Sequence, residues 1–130
     1  MPAEKRQVAK PVEWVGSSLS DLRAFPREPR REIGQALYEA QIGGRHPAAK
    51  PLSGFGSAGV LETVARRDGN AFRSVYTVRF AGVVYVLHAF QKKSKRGIRT
   101  PKHELEVVAG RLKLAAAHHN ARYGSLKERG

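Results

Sequence analysis

The chain has no cysteine among its 130 residues, which excludes disulfide staples, a thiolate nucleophile and a zinc–thiolate cluster. Acid is scarce: 11 Asp and Glu stand against 24 Lys and Arg, a formal charge of +13. Long apolar runs are missing too. The longest, residues 81–90, contains Gly82 and His88 and reaches about half a membrane span. The charged start, Met-Pro-Ala-Glu-Lys-Arg-Gln, leads into no apolar signal region, so the expectation is a soluble, cytoplasmic protein without membrane contact. There is no Gly-rich phosphate loop and no Gly-x-Ser-x-Gly elbow, which leaves nucleotide hydrolysis and serine-hydrolase chemistry without support. His118 and His119 are adjacent and lack the i,i+4 spacing of a helical metal pair. No metal and no cofactor are expected.

What is present suits one compact domain. A hydrophobic content of 41% supplies enough apolar material to offset ordering entropy. The domain is placed at 8–118, with polar tails at 1–7 and 119–130. Residues 8–15 read as a short edge strand around Pro11, since proline cannot donate to a central ladder. Ser18 with Asp21 reads as an N-cap and its N3 acid, opening a short helix with Leu19, Leu22 and Phe25 on its apolar side. Pro26 and Pro29 end that helix and begin a second. The second carries Ile33, Leu37 and Ala40 at helical spacing and stops at Gly43-Gly44. Gly34 inside it costs about 1 kcal/mol relative to Ala. Residues 45–59 read as a loop. Three strands follow: 60–67 and 71–80 around the Asp68-Gly69-Asn70 turn, then 83–92, apolar enough to be covered on both faces. Thr100-Pro101 starts a closing helix with a stripe of Leu105, Val108, Leu112 and Ala115 or Ala116. The fold class is α+β: an N-terminal helical hairpin and a C-terminal helix packed on an antiparallel sheet of about four strands.

A charge of +13 exceeds the magnitude of about 2–8 that keeps a small domain soluble. Such a field attracts polyanions at long range: RNA, DNA, anionic lipid or an acidic protein, with nucleic acid or the ribosome the favoured class. The cations concentrate between 91 and 102, where Lys92, Lys93, Lys95, Arg96, Arg99 and Lys102 run without an acid until Glu104. Lys92 and Lys93 alternate faces, so one of them joins any given face of the sheet. In strand 71–80, Phe72, Ser74 and Tyr76 share the better core face, which turns Arg73 and Arg79 toward solvent or a groove. Arg73 then either pairs across the strand with Glu62 or grips a phosphate through its planar guanidinium. His88 interrupts an apolar strand, on the same side as Phe90 and Lys92. It is either a satisfied structural group or a base working near neutral pH.

Three segments together carry a resemblance: Phe72-Arg73-Ser74-Val75-Tyr76-Thr77-Val78, then Val84-Tyr85-Val86-Leu87-His88-Ala89-Phe90-Gln91-Lys92-Lys93-Ser94, then Thr100-Pro101-Lys102 with the closing helix. This pattern resembles the phage-derived, HigB-like branch of the RelE/ParE toxin superfamily, over about residues 11–118. The resemblance implies a RelE-like fold and the toxin of a type II toxin–antitoxin system, most often a metal-independent endoribonuclease that cuts mRNA in the ribosomal A site. It implies a helix-turn-helix antitoxin as partner, besides the ribosome and mRNA. Its matched positions are Arg73, His88, Lys92 and Lys93, with Tyr76 and Glu62 beside them. Lys95, Arg96, Arg99, Lys102 and Arg66 are the expected RNA or ribosome contacts. His88 or Lys92 would take the 2′-hydroxyl proton, and Arg73 with Lys93 would hold the phosphate. Gyrase inhibitors share the fold, so a ParE-type gyrase inhibitor and an inactive phage-derived nucleic-acid-binding protein are the alternatives.

Overall fold

The computed structural model describes residues 8–56, 59–93 and 99–129. Its elements run β1 (Val12–Trp14), α1 (Ser18–Arg23), α2 (Arg27–Gln41), β2 (Ala49–Pro51), β3 (Val60–Arg67), β4 (Asn70–Thr77), β5 (Val84–Lys93) and α3 (Lys102–Arg129). One five-stranded sheet has the order β1-β5-β4-β3-β2. The sheet is mostly antiparallel; β1 alone lies parallel to its neighbour, pairing Val12 with Val84.

Local chemistry sets most of these boundaries. Pro26 is the N-cap of α2, and its locked φ suits a helix start. At the other end, the Gly44 N–H bonds to the Glu39 carbonyl at 2.8 Å and the Gly43 N–H to Ala40 at 3.1 Å. With Gly43 at φ +89°, this is a Schellman stop. Asp68 and Gly69, at φ +51° and +79°, make the two-residue turn whose twist matches the flanking strands β3 and β4.

Some expectations about these elements need correction. The 45–59 segment is not all loop, because Ala49–Pro51 adds a fifth, edge strand on β3. Proline sits at its end, where no ladder donor is needed. Ser18 is not the cap of α1: it is the first helical residue, and its hydroxyl donates to the Val86 carbonyl at 3.1 Å. Of the polar tail expected at 119–130, residues 119–129 are instead a continuation of α3, which runs 28 residues. There the apolar stripe passes from aliphatic to aromatic side chains. His119 is buried, its ring lies 5.4 Å from Phe80 and 4.8 Å from Tyr123, and its Nε2 meets the Ala81 carbonyl at 3.0 Å.

Both faces of the sheet are covered. On one, Leu22, Phe25, Ile33, Leu37 and Ala40 of the helical hairpin pack on Phe72, Tyr76, Val84, Val86 and Ala89. On the other, Val108 and Ala115 of α3, with Leu105 and Leu112, pack on Val75, Tyr85, Leu87 and Phe90. The register between β4 and β5 shifts by one, Val75 facing His88 and Tyr76 facing Val86. Leu87 is therefore the extra residue of a β-bulge, which turns Leu87 and His88 to the same side.

Candidate nucleic-acid interface beside the last helix

Antiparallel partners share a face, so the pairings define the α3 face beyond its apolar part. Arg66 lies opposite Ala71, and Ala71 opposite Lys92; one step along, Val64 lies opposite Arg73, and Arg73 opposite Phe90. Arg66, Arg73 and Lys92 thus stand on three adjacent strands around the small Ala71. With strands about 4.8 Å apart, Arg66 and Lys92 start about 10 Å apart across β4, with Arg73 two residues along β4 from Ala71 on the same face. Arg66 is exposed and Lys92 half-buried.

Next to them, between β3, the 51–54 segment and the start of α3, opens a hollow of about 610 Å³. Glu62, Arg73, Arg99, Thr100, Lys102 and Leu105 line it. Arg73 is only 4% exposed, so of the two directions expected, solvent or a groove, it takes the groove. Its Nη1 pairs with Glu62 Oε1 at 3.3 Å, while the other carboxylate oxygen accepts from the Thr100 hydroxyl at 2.7 Å. Thr100 does not cap α3, because the helix begins two residues later at Lys102. The first turn closes on the Pro101 carbonyl instead, which accepts from Leu105 N at 3.1 Å. Glu62 joins the middle of the sheet to the start of the last helix, and a guanidinium beside a carboxylate keeps that junction polar.

His88 is a different kind of group. Its Nε2 lies 2.6 Å from Glu104 Oε1, and its Nδ1 lies 3.4 Å from Arg111 Nη1. A guanidinium can only donate, so Nδ1 accepts and Nε2–H donates to the carboxylate. Both ring nitrogens are engaged, the ring stacks on Phe90 at 4.8 Å, and the residue is 7% exposed. Of the two roles left open by the sequence, the geometry favours the structural one. Arg111 completes the arrangement. Its Nη1 donates to the Leu87 carbonyl at 3.1 Å and its Nη2 to Ser17 Oγ at 3.1 Å. One side chain from α3 thus satisfies the carbonyl released by the bulge and ties in the N-terminus of α1.

The remaining candidates divide. Tyr76 sits on the opposite face, 1% exposed beneath α2. Burial raises its phenol pKa, with Arg45 opposing, and the sheet separates it from the hollow. Arg99 and Lys102 are exposed on the rim. Lys93 closes β5 opposite Asn70; its side chain, and all of Lys95 and Arg96, lie outside the described residues. Glu104 and Arg111 were not singled out from the sequence. Glu104 had a signal, being the first acid after the basic run; Arg111, set among apolar stripe positions of α3, gave none.

No match was found among curated proteins. Among solved structures, a mutant of the E. coli toxin RelE in the free state is similar in fold, with 20% identity, 82% of this chain and 97% of that chain covered, and a TM-score of 0.52. The RelBE2 toxin–antitoxin complex from Mycobacterium tuberculosis aligns at 21% identity over 68% of this chain and 98% of that one, with a TM-score of 0.40. The fold is RelE-like, as the resemblance implied. A family model, phage derived protein Gp49-like, matches residues 20–113, from within α1 to the first twelve residues of α3. The chain belongs to the phage-derived Gp49-like family.

Proposed function

We propose that the chain is the toxin of a type II toxin–antitoxin system, of the HigB-like kind, and that it cleaves mRNA on the ribosome without a metal. The observation that carries this reading is the placement of Arg66, Arg73 and Lys92 on one face of three adjacent strands, next to a hollow lined by Arg73, Arg99, Lys102 and the carboxylate of Glu62. RNA cleavage of this type needs a proton acceptor for the 2′-hydroxyl, positive charge around the five-coordinate phosphate and a proton for the leaving oxygen. Each ring nitrogen of His88 has one site, and both are taken by Glu104 and Arg111; the acceptor role passes to Glu62, whose oxygens keep lone pairs beyond the bonds accepted from Arg73 and Thr100. The 2′-oxygen attacks phosphorus, its proton goes to Glu62, and the bond to the 5′-oxygen breaks. That oxygen takes a proton from Lys102 on the rim, leaving a cyclic phosphate and a free 5′-hydroxyl. Arg73 and Lys92 hold the phosphate, while Arg66 and Arg99 hold flanking backbone. A helix-turn-helix antitoxin and the ribosome are the partners this reading requires.

The test is induced expression in a bacterium, followed by primer extension on several messages and a check of chromosomal integrity. Growth arrest with codon-phased cuts is the expected result, lost in Lys92→Ala and Lys102→Ala variants that melt like the wild type. Intact messages accompanied by double-strand DNA breaks would overturn it in favour of gyrase inhibition. No growth defect at all would mark a binding protein.

A further inference from the structure

Away from the hollow, where α3 packs against the turn after β4, three rings stand in a row. The centroids of Phe80 and His119 are 5.4 Å apart, and those of His119 and Tyr123 4.8 Å. A guanidinium lies over the ring at each end: Arg79 Cζ is 5.7 Å from the Phe80 centroid, and Arg122 Cζ is 5.8 Å from that of Tyr123. Both arginines are exposed, while the rings are buried or half-buried. Arg122 lies about 30 Å along α3 from Lys102 on the rim of the hollow, so the two places are separate.

Charge at this end is one-sided. No Asp or Glu occurs between Asp68 and Glu104, nor between Glu106 and Glu128, and the rings and both arginines come from these two stretches. Neither arginine forms an ion pair among the described residues. The bordering acid is Glu13 of β1, which acts on the Tyr85 phenol with the opposite sign to Arg122. The support beneath is fixed. The Arg79 N–H donates to the Thr77 hydroxyl at 3.1 Å, and Gly59 lies so close that a Cβ there would sit 3.3 Å from Arg79 N. With its backbone clamped and its head group over a ring, Arg79 has less freedom to lose on binding than an arginine loose in solvent.

A guanidinium seated over a ring has one side covered and keeps the other side and its N–H groups for a ligand. The N–H groups match phosphate oxygens, and the open side takes a stacked base. We infer that Arg79 and Arg122 form a seat for an unpaired stretch of nucleic acid, whose bases stack on the two guanidiniums and whose phosphates meet their N–H groups. A carboxylate-bearing peptide uses the N–H groups but has no planar base for the open side, and a duplex keeps its base planes hidden. The seat gives the proposed toxin a second grip on RNA, and it stands without the cleavage step.

Binding of the full chain to a short oligoadenylate RNA, to DNA of the same sequence and to polyphosphate, followed by fluorescence anisotropy against salt, tests the seat. Arg79→Gln/Arg122→Gln, in a variant that melts like the wild type, should lower the salt slope for the oligonucleotides by about 1.4, the share of two phosphate contacts on a single strand. Arg79→Lys/Arg122→Lys keeps both charges and loses both planar groups, so the oligonucleotides should bind about fivefold more weakly while polyphosphate binds as before. Made on top of Lys92→Ala/Lys102→Ala, which removes two cations at the hollow, the same substitutions should cause the same losses. A loss shared by RNA and DNA supports a seat for either; a loss with RNA alone supports one that also reads the 2′-hydroxyl. Unchanged oligonucleotide binding in the glutamine variant overturns the inference, and so does a lysine variant that binds like the wild type. A chain that cuts no message yet loses oligoadenylate through these substitutions sinks the nuclease reading and leaves the seat standing; a chain that cuts, with affinity indifferent to both arginines, does the reverse.

Discussion

The two faces of the sheet are built from the same strands and finished in opposite ways. Toward α1 and α2, the strand side chains are sealed by a helical hairpin whose own contacts are apolar, as in the edge-on packing of Phe25 against Phe72 with centroids 5.1 Å apart. Toward α3, one helix covers only part of the width. Its apolar stretch stops at Leu105, and beyond it the same strand positions carry Glu62, Arg66, Arg73 and Lys92. The difference shows that a strand covered over part of its length can hold a core at one end and a polar hollow at the other. What sets the transition is where the covering helix begins, and Glu62 fixes that point by holding Thr100.

Breaking the sealed face should have the largest effect. Phe72→Ala removes a 3% exposed ring and is expected to cost about 3–5 kcal/mol in chemical denaturation. The hollow should survive, so amide exchange at residues 102–105, measured under native conditions, stays near the wild-type rate. Faster exchange there would mean that the two faces are coupled through β4. Breaking the junction of the open face comes next. Glu62→Ala leaves the nearly buried guanidinium of Arg73 without this carboxylate, a loss of about 3 kcal/mol for a pair at 4% and 12% exposure. Amide exchange should also quicken at residues 102–105, because the Thr100 anchor is gone. A cost under about 1 kcal/mol would show the pair to be screened like a surface ion pair.

The sequence disclosed the elements of this fold better than the relation between them. The helix stops, the Asp68-Gly69 turn and the three long strands all rest on local chemistry, and local chemistry is visible in the residues. Tertiary partners are not. Alternation in 71–80 places Tyr76 and Arg73 on opposite faces and leaves Arg73 either paired with Glu62 or free to grip a phosphate; the pair is found, but its burial under the start of α3 has no local signal. The β-bulge at Leu87 has no glycine or proline to announce it; it is filled by Arg111, 24 residues away. His88 came forward as a base for its intrinsic chemistry, and the carboxylate and guanidinium that engage it come from a helix whose docking no spacing rule reports. The polar tail was misjudged because His119 and Tyr123 continue the stripe with side chains that hydropathy counts as polar.

The smallest effect sharpens the comparison most, because each face carries one buried tyrosine. On the open face the Tyr85 hydroxyl has a partner, His118 Nδ1 at 2.7 Å. On the sealed face the Tyr76 hydroxyl has none among the described residues. Tyr85→Phe should therefore cost about 1 kcal/mol at neutral pH, while Tyr76→Phe should be neutral or slightly stabilising, since it removes a buried group that lacks a hydrogen bond. Alkaline pH tests the same point from the other side. Burial, with Glu13 next, pushes the Tyr85 phenol from 10.0 up to about 12, and burial raises Tyr76 as well. A raised pKa means that the folded chain keeps its proton after the unfolded chain has shed it, so stability is complete below pH 10 and declines above it. For Tyr85 the decline approaches about 1.4 kcal/mol per pH unit and ends near pH 12. Either phenylalanine variant should flatten that decline, and both together should flatten it further. An alkaline slope left unchanged by Tyr85→Phe would mean that this phenol meets water in the folded protein, and that α3 covers less of the sheet than its contacts indicate.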